Sequence, residues 1–321
     1  MRVKILEEAD VPLWENFVKS SRNGTFMQHR EFLNYHPKDR FKDCSLMVFN
    51  KKAKLLAVLP AAEKMVGKKK ELCSHPGASH GGIIISHGVK TECMLEIVAA
   101  IKEFAKLKGF NAIELKLVPR IYYKWPCDEI DFALRYHGFK IQHTELATAV
   151  PLQEYHANKA SSSVLRNVKK ALKNNLVVKE SDDFSSYWSV LTENLKTRHC
   201  AKPTHTYAEM MKLCELFKDK IKLFGVYSED QLIAGTVVFI LNERVINCFY
   251  IAQNDDYQSL RPLNLLFNWL IKWGIKHNFA YLDWGISTEN KGRTVNSGLF
   301  NFKEGFGGRG VLRETYAINL K

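Results

Sequence analysis

The sequence has no pair of cysteines at the Cys-x-x-Cys spacing, and its cysteines number seven, an odd count. Several lie in apolar segments, as Cys248 does. A disulfide framework or a zinc site built on paired thiolates is therefore not expected, and a reducing compartment such as the cytoplasm fits this pattern. No other metal site is predicted, because His75 and His80 are not at a zinc spacing and have no evident third ligand.

Long apolar runs are also missing. The longest candidate, residues 263–275, contains Asn264, Asn268 and Lys272, and it is shorter than the roughly 20 apolar residues that span a bilayer. Residues 1–8 carry charges from the second position onward and contain no apolar signal core. We therefore expect a cytoplasmic protein without stable membrane insertion.

Acidic residues are few compared with basic ones. The chain has 47 Lys and Arg against 34 Asp and Glu, which gives a formal net charge of +13. This excess favours an anionic partner: nucleic acid, a nucleotide-bearing substrate, coenzyme A or an anionic membrane surface. Hydrophobic residues make up 46% of the 321 positions, so packed cores are expected, and the length suits two domains.

An internal repeat organises the chain. Residues 92–117 form a pattern of an amphipathic helix, a stop near Gly109 and a short alternating strand that contains Glu114. Residues 261–286 repeat this order, and Asp283 takes the place of Glu114 in the second strand. Similar order at two places in one chain indicates two copies of the same unit.

Strand patterns precede the helix in both copies. Apolar residues 46–49 and 55–60 flank a polar turn, which predicts a hairpin. Residues 223–227 and 232–239 predict a second hairpin, and residues 245–252 predict a further strand.

These patterns predict an α+β fold of two tandem domains, residues 1–152 and 153–321. Each domain is expected to be a mixed, mostly antiparallel sheet flanked by helices, as in N-acetyltransferases. The alternative is one large α/β domain whose two helix–strand pairs are alike by chance.

The most specific string is residues 298–308, Gly-Leu-Phe-Asn-Phe-Lys-Glu-Gly-Phe-Gly-Gly. It matches the pattern Gly-Leu-x-x-Phe-Lys-x-x-Phe-Gly-Gly in full. Weaker motifs agree with it in order: Phe-Met-Gln at 26–28, a basic helix at 160–175 and Asp-Trp-Gly at 283–285. On these residues the chain resembles the Fem-type (FemAB-like) aminoacyl and acyl transferases, which have tandem GNAT-like N-acetyltransferase domains.

The resemblance covers nearly the whole chain, although the long coiled-coil insertion of some tRNA-dependent members is missing. It implies that the last strand, residues 311–320, returns to the first domain. It also implies that Lys303 lies at the catalytic cleft, where a fixed ammonium suits the stabilisation of an oxyanion. Asp283, at a strand end, is the second predicted catalytic residue, to take a proton or orient an amine. A surface lysine and a structural aspartate are the alternatives.

Five further residues are predicted to bind substrate or cofactor. By resemblance, Arg198 is expected to hold a phosphate or carboxylate with both ends of its guanidinium. Arg261 precedes Pro262 at a helix start, where a phosphate of the cofactor would bind. The glycines of the usual acetyl-CoA loop are missing there, so coenzyme A binding in that mode is not expected. The remaining predicted substrate contacts are Tyr250, Phe302 and Gly307.

The function predicted is transfer of an acyl or aminoacyl group to an amine of a cell-envelope precursor, a sugar or a related small molecule. The donor is acetyl-CoA or aminoacyl-tRNA, and the substrate is expected to be small and anionic, nucleotide-linked or sugar-like, with tRNA as a possible partner. Two alternatives stay open: a non-catalytic protein that binds an anionic nucleotide-linked ligand, and a basic RNA-binding protein.

Overall fold

The computed structural model describes residues 1–37, 40–156 and 160–320, and the chain forms two compact units. The first unit takes in the described residues of Met1–Glu145, Asn290–Arg293 and Leu312–Lys321. The second unit takes in those of Leu146–Glu289 and Thr294–Val311. The division thus falls inside a strand, whereas the sequence placed the boundary after residue 152, where that strand ends.

The helices of the described residues have the following bounds: α1 Val11–Ser20, α2 Arg30–Leu33, α3 Thr91–Leu107, α4 Glu129–Tyr136, α5 Ser162–Lys173, α6 Phe184–His199, α7 Tyr207–Leu216, α8 Pro262–Lys276 and α9 Ser297–Glu304. Short 3-10 turns cover Glu8–Asp10, Phe26–Gln28, Arg120–Tyr122 and Asp255–Leu260.

The strands are β1 Arg2–Ile5, β2 Lys42–Asp43, β3 Leu46–Phe49, β4 Leu55–Leu59, β5 Ala61–Val66, β6 Lys69–Ser74, β7 Ile84–Ile85, β8 Ala112–Lys116, β9 Lys140–Pro151, β10 Val177–Ser181, β11 Ile221–Ser228, β12 Gln231–Ile240, β13 Val245–Gln253, β14 Tyr281–Ile286, β15 Thr288–Glu289, β16 Thr294–Val295 and β17 Arg309–Asn319. Both helix–strand pairs of the repeat are present, as α3 with β8 and α8 with β14.

The first unit contains two groups of paired strands. The order β1-β3-β4-β7 is antiparallel throughout. In the second group β2, β5 and β6 pair antiparallel, β6 pairs parallel with β8, and β8 pairs antiparallel with the end of β17. The last strand of the chain therefore pairs with a strand of the first repeat, Thr315 opposite Lys116 through Asn319 opposite Ala112.

The second unit is an antiparallel meander followed by one parallel crossover. Strands β10 to β13 pair in chain order, α8 then crosses over, and β14 returns parallel to β13. Helix α8 begins with Pro262 at its first position, where the missing N–H costs nothing. Its buried face, with Leu266, Phe267, Leu270 and Ile271, packs into the core of the unit.

Two irregularities open this sheet near its centre. The register between β12 and β13 shifts because Val237 faces Tyr250 and Val238 faces Cys248, which leaves Phe249 as the extra residue of a bulge. Strands β13 and β14 pair only as far as Asn247 and Asp283. The other edge of β14 pairs with β9 from Tyr281 to Ile286, while β13 continues to Gln253. The two parallel strands therefore diverge at Asn247 and Asp283.

The described helices include none that combines the length and the apolar composition needed to cross a bilayer.

The aromatic core under α8 gives a stability prediction. Phe267 is 1% exposed, and its ring lies 5.2 Å from that of Trp284 and 6.0 Å from that of Phe306, centroid to centroid. Phe267→Ala is expected to lower the free energy of unfolding of the second unit by about 3–5 kcal/mol, because it leaves a cavity. The control is Leu172→Ala on α5, since Leu172 is 55% exposed and should change stability by less than about 0.5 kcal/mol. Urea unfolding followed by tryptophan fluorescence measures both, and equal losses would contradict the assignment of this core.

Candidate functional site

Residues 298–308 form most of the short helix α9 and the glycine-containing turn that ends it. The Asn296 side chain accepts a hydrogen bond from the Leu299 amide and caps α9. At the other end, the amide of Gly307 donates to the Glu304 carbonyl at 2.8 Å, and that of Gly308 donates to the Lys303 carbonyl at 3.3 Å. Gly307 has φ +88°, so these two bonds and a left-handed glycine form a Schellman motif.

The neighbouring glycines allow close packing. A Cβ on Gly308 would lie 2.6 Å from the Thr148 side chain and 2.9 Å from the Lys303 carbonyl. The carbonyl of Gly305 accepts a hydrogen bond from the Ser161 amide at 2.8 Å, which ties the end of α9 to the start of α5. These glycines are therefore explained by helix termination and packing. The prediction that Gly307 contacts substrate stays a prediction.

Lys303 is buried, with 3% exposure, at the end of β14. Its Nζ donates to the carbonyls of Gly285 and Ile286 at 3.0 Å each and to Ser287 Oγ at 2.7 Å. An ammonium has three N–H donors, so these bonds use all of them. That Lys303 stabilises an oxyanion stays a prediction, and in this arrangement its donors are engaged by the protein.

Asp283 also binds Gly285, the residue whose carbonyl accepts from Lys303. It is 1% exposed, and its Oδ1 accepts a hydrogen bond from the Gly285 amide at 2.7 Å. The side-chain amide of Asn247 donates to the Asp283 carbonyl at 3.2 Å, which joins β13 to β14 at their last paired position. The predicted proton-transfer role of Asp283 also stays a prediction.

Asp283 and Lys303 both interact electrostatically with Cys248 on β13. Burial raises the pKa of its thiol to about 12, Asp283 adds to the increase, and Thr236 and Lys303 oppose it. Cys248 is therefore a neutral thiol at physiological pH, which argues against a nucleophilic role. None of the seven cysteines forms a disulfide, and the described residues hold no group of three His, Cys, Asp or Glu that suits a metal ion.

A pocket of about 300 Å³ lies within the second unit. It lies where β13 ends at Gln253 and where the helices α5 and α8 begin. Three predicted site residues meet there: Arg198 from α6, Arg261 before α8 and Phe302 from α9. Tyr250, Gly307, Asp283 and Lys303 are not among the residues that line it.

The electrostatics of this pocket favour an anion. The α5 and α8 N-termini present the positive ends of their helix dipoles. In the first turn of α8, Pro262 has no N–H, and the amides of Asn264 and Leu265 donate to the Arg261 carbonyl, which leaves the amide of Leu263. The Arg261 side chain has no hydrogen-bond or ion-pair partner within the described residues, and its backbone is left-handed at φ +65°. Arg198 is exposed and paired with Asp255, from Nη2 to Oδ1 at 2.6 Å and from Nε to Oδ1 at 2.9 Å.

Tyr250 lies elsewhere in the unit. Its hydroxyl accepts a hydrogen bond from the His205 amide at 3.1 Å and lies 2.7 Å from His205 Nδ1. Its ring meets that of Trp188 on α6 at 5.5 Å, edge to face. Burial raises the pKa of its phenol. The structure therefore does not bring Tyr250 together with Arg198, Arg261 and Phe302.

Sequence reasoning missed several polar residues of the pocket: Asn167, Gln253 and Asn264. Asn264 was a detectable signal, because it is a polar residue between the apolar residues Leu263 and Leu265 of α8, and the structure buries it. Gln253 and Asn167 had no such signal, since Gln253 begins a polar segment at the end of β13 and Asn167 lies among the polar residues of α5.

The Schellman motif gives a matched pair of glycine variants. Gly307→Ala is expected to lower the free energy of unfolding by about 1–2 kcal/mol, because a Cβ is strained at positive φ. Gly298 lies in the first turn of α9, and a Cβ there would meet only Asn296 Oδ1 at 3.8 Å. Gly298→Ala is therefore expected to be neutral or stabilising by up to about 1 kcal/mol. Thermal unfolding compares the two, and a neutral Gly307→Ala would rule out the left-handed assignment.

Comparison with known proteins supports the architecture. Residues 159–303 match the family model described as an acetyltransferase (GNAT) domain. The crystal structure of FemX is similar with a TM-score of 0.72 and 14% identity, over 100% of this chain and 98% of that one. Curated protein sequences include no significant match.

Two other solved structures agree. The C-terminal domain of a putative lysylphosphatidylglycerol synthetase from Agrobacterium fabrum is similar with a TM-score of 0.63 and 9% identity, over 97% of this chain and 92% of that one. A tandem GNAT protein from the clavulanic acid biosynthesis pathway is similar with a TM-score of 0.52 and 11% identity, over 100% and 99%. The predicted α+β fold of tandem GNAT-like domains is thereby confirmed. The chain has the fold seen in FemX and in the tandem GNAT protein, and its residues 159–303 match the GNAT acetyltransferase family model.

Proposed function

We propose that this chain transfers an acyl or aminoacyl group to an amine of a cell-envelope precursor, a sugar or a related small molecule. The observation that carries the proposal is the pocket that unites Arg198, Arg261 and Phe302 at the C-terminal end of β13, the strand that diverges from β14. The GNAT family match of the second unit and the fold shared with FemX support transfer chemistry.

The pocket suits the phosphate of a donor. Arg261 and the start of α8 offer a guanidinium, the positive end of a helix dipole and the backbone N–H of Leu263, which are elements of phosphate recognition. Both candidate donors, acetyl-CoA and aminoacyl-tRNA, carry phosphates. A cavity of about 300 Å³ is at the lower limit of ligand sites, so it would hold a phosphate-bearing part of the donor only.

The gap between β13 and β14 suits the reacting carbonyl. Beyond Asn247, β13 has no strand partner on its β14 side within the described residues, so alternate backbone N–H groups face the gap. The bulge at Phe249 redirects this edge. When an amine attacks the carbonyl carbon, negative charge develops on the carbonyl oxygen, and a fixed N–H group at this edge would stabilise it.

In this mechanism Lys303 and Asp283 have a structural role, because their hydrogen bonds hold the end of β14 apart from β13. Lys303 fixes residues 285–287, and Asp283 fixes the Gly285 amide. Both hold β14 where it separates from β13, which positions the two edges for a substrate. The amine loses its proton as the carbon–nitrogen bond forms, and the thiol or the ribose hydroxyl leaves with a proton.

The second candidate is a non-catalytic protein that binds an anionic nucleotide-linked ligand. The engagement of Lys303 and Asp283 in the fold favours it, because neither side chain has to take part in chemistry. A cytoplasmic location is part of our proposal, and the absence of disulfides among the seven cysteines agrees with it.

Separate incubations with labelled acetyl-CoA and with charged tRNA, each with a panel of amine acceptors, test the proposal. Transfer from one donor identifies it. If neither donor transfers while the protein still binds a phosphate-bearing ligand, the non-catalytic reading is correct.

Removal of one arginine should weaken donor binding. Arg261→Gln is expected to raise KM, or Kd for the donor, about 10–100-fold with little change in kcat, because it removes a charge-assisted contact to phosphate. Lys276→Gln removes the same charge at the other end of α8 and should change KM less than about twofold. Equal effects of the two variants would show that general charge, not this pocket, attracts the donor.

A further inference from the structure

The β5–β6 hairpin ends in an exposed apolar and basic tip in the first unit, remote in sequence from the pocket above. Strands β5 and β6 pair from Ala61 opposite Ser74 to Val66 opposite Lys69, so Gly67 and Lys68 form a two-residue turn. Gly67 has φ +60°, and a Cβ there would meet no atom within 4 Å. Every residue from 64 to 69 is exposed, so no part of the described chain covers this tip.

The apolar part of the tip consists of two residues that follow each other in sequence. Met65 is 60% exposed and Val66 is 45% exposed, and these two neighbours point to opposite faces of the hairpin. Paired backbone hydrogen bonds up to Val66 hold them in place. Two adjacent apolar side chains at the end of a hairpin, without a covering element in the described residues, are accessible to a partner.

The charged part of the tip surrounds these two residues. Lys64, Lys68 and Lys69 make no ion pair within the described part of the chain. Lys70 differs, because its ammonium lies 3.0 Å from Glu63 and stacks on the Phe110 ring. Lys64 lies opposite Glu71 in the hairpin register without an ion pair between them, and Lys69 lies opposite Val66. The lysines around Met65 and Val66 therefore keep an excess of positive charge, since no acidic residue occurs between residues 64 and 70.

We propose that this tip, residues 64–69, is a docking element for an anionic lipid surface. The three ammonium groups would meet lipid phosphates, and Met65 and Val66 would enter the boundary between headgroups and acyl chains. From Glu63 to Val66 the hairpin extends by about 10 Å, which matches the depth of about 5–10 Å at which apolar side chains sit in that boundary.

A nucleic acid fits these residues less well. It would use the lysines but would leave Met65 and Val66 in water, and the segment 64–69 has no aromatic side chain on which a base could stack. The lipid surface uses both parts of the tip. This inference is independent of the transferase proposal, since it concerns where the chain is held and not which bond it makes.

The chain offers a matched control for the charge. The β3–β4 turn carries Lys51, Lys52 and Lys54, which are exposed and lie in the same unit, yet no exposed large apolar side chain accompanies them. Removal of these three lysines lowers the net charge as much as removal of Lys64, Lys68 and Lys69.

The test is flotation of the full chain with vesicles of phosphatidylcholine alone, or with a third of it replaced by phosphatidylglycerol. We expect binding to the second kind only. The triple variant K64Q/K68Q/K69Q should lower the partition coefficient about 100-fold, since each lysine near an anionic surface contributes about fivefold. The control K51Q/K52Q/K54Q should lower it less than about threefold. M65S/V66S should bind more weakly than the wild type, most clearly at high salt, where the apolar contribution dominates.

Three outcomes would overturn the proposal: no binding of the wild type to anionic vesicles, equal losses in both triple variants, or wild-type affinity in M65S/V66S. A parallel titration with a synthetic RNA hairpin separates the lipid from a nucleic acid. RNA affinity that depends on the three tip lysines, without vesicle binding, would assign the tip to RNA. Circular dichroism of each variant confirms that the fold is intact, as expected for substitutions at an exposed tip.

Discussion

The second unit depends on the buried ammonium of Lys303. A charge at 3% exposure is tolerated in a protein interior only when it is fully hydrogen-bonded, and Lys303 meets this condition with two carbonyls and one hydroxyl at the end of β14. The two carbonyls belong to Gly285 and Ile286, which lie beyond the last residue of β14 that pairs with β13. The lysine therefore supplies the hydrogen-bond donors that a neighbouring strand would otherwise supply. One side chain thus stabilises the point at which the sheet opens.

The pocket lies next to α9, the helix that carries Lys303. Phe302 precedes Lys303 in α9, so the same turn that buries the ammonium places the aromatic ring against Phe267 and beside the pocket. Because the helix ends in the Schellman motif at Gly307, the Gly305 carbonyl is available to accept a hydrogen bond from the Ser161 amide. This bond places the start of α5 next to the end of α9. The buried Lys303 and the pocket-lining Phe302 are therefore neighbours in one eleven-residue run.

The sequence predicted what depends on neighbours in the chain. Helix α8, strand β14 and both hairpins followed from periodicity and turn residues, and Arg198, Arg261 and Phe302 were identified as site residues that the structure brings together. The burial of Lys303 could not be predicted, because its acceptors lie 16 to 18 positions away in sequence. Gln253 and Asn167 escaped notice for the same reason, since they join the pocket only through the packing of β13 and α5.

The two arginines of the pocket are not equivalent. Arg198 is already paired with Asp255, yet this pair is exposed, with 39% and 45% of the two side chains accessible. Exposed pairs contribute at most about 1 kcal/mol, so a phosphate could displace the carboxylate at low cost. Arg261 has no such competitor in the described residues and is held by a left-handed backbone directly before Pro262. We therefore expect Arg261 to be the primary anion contact of the proposed site, and Arg198 to add a second contact that depends on how strongly the ligand competes with Asp255.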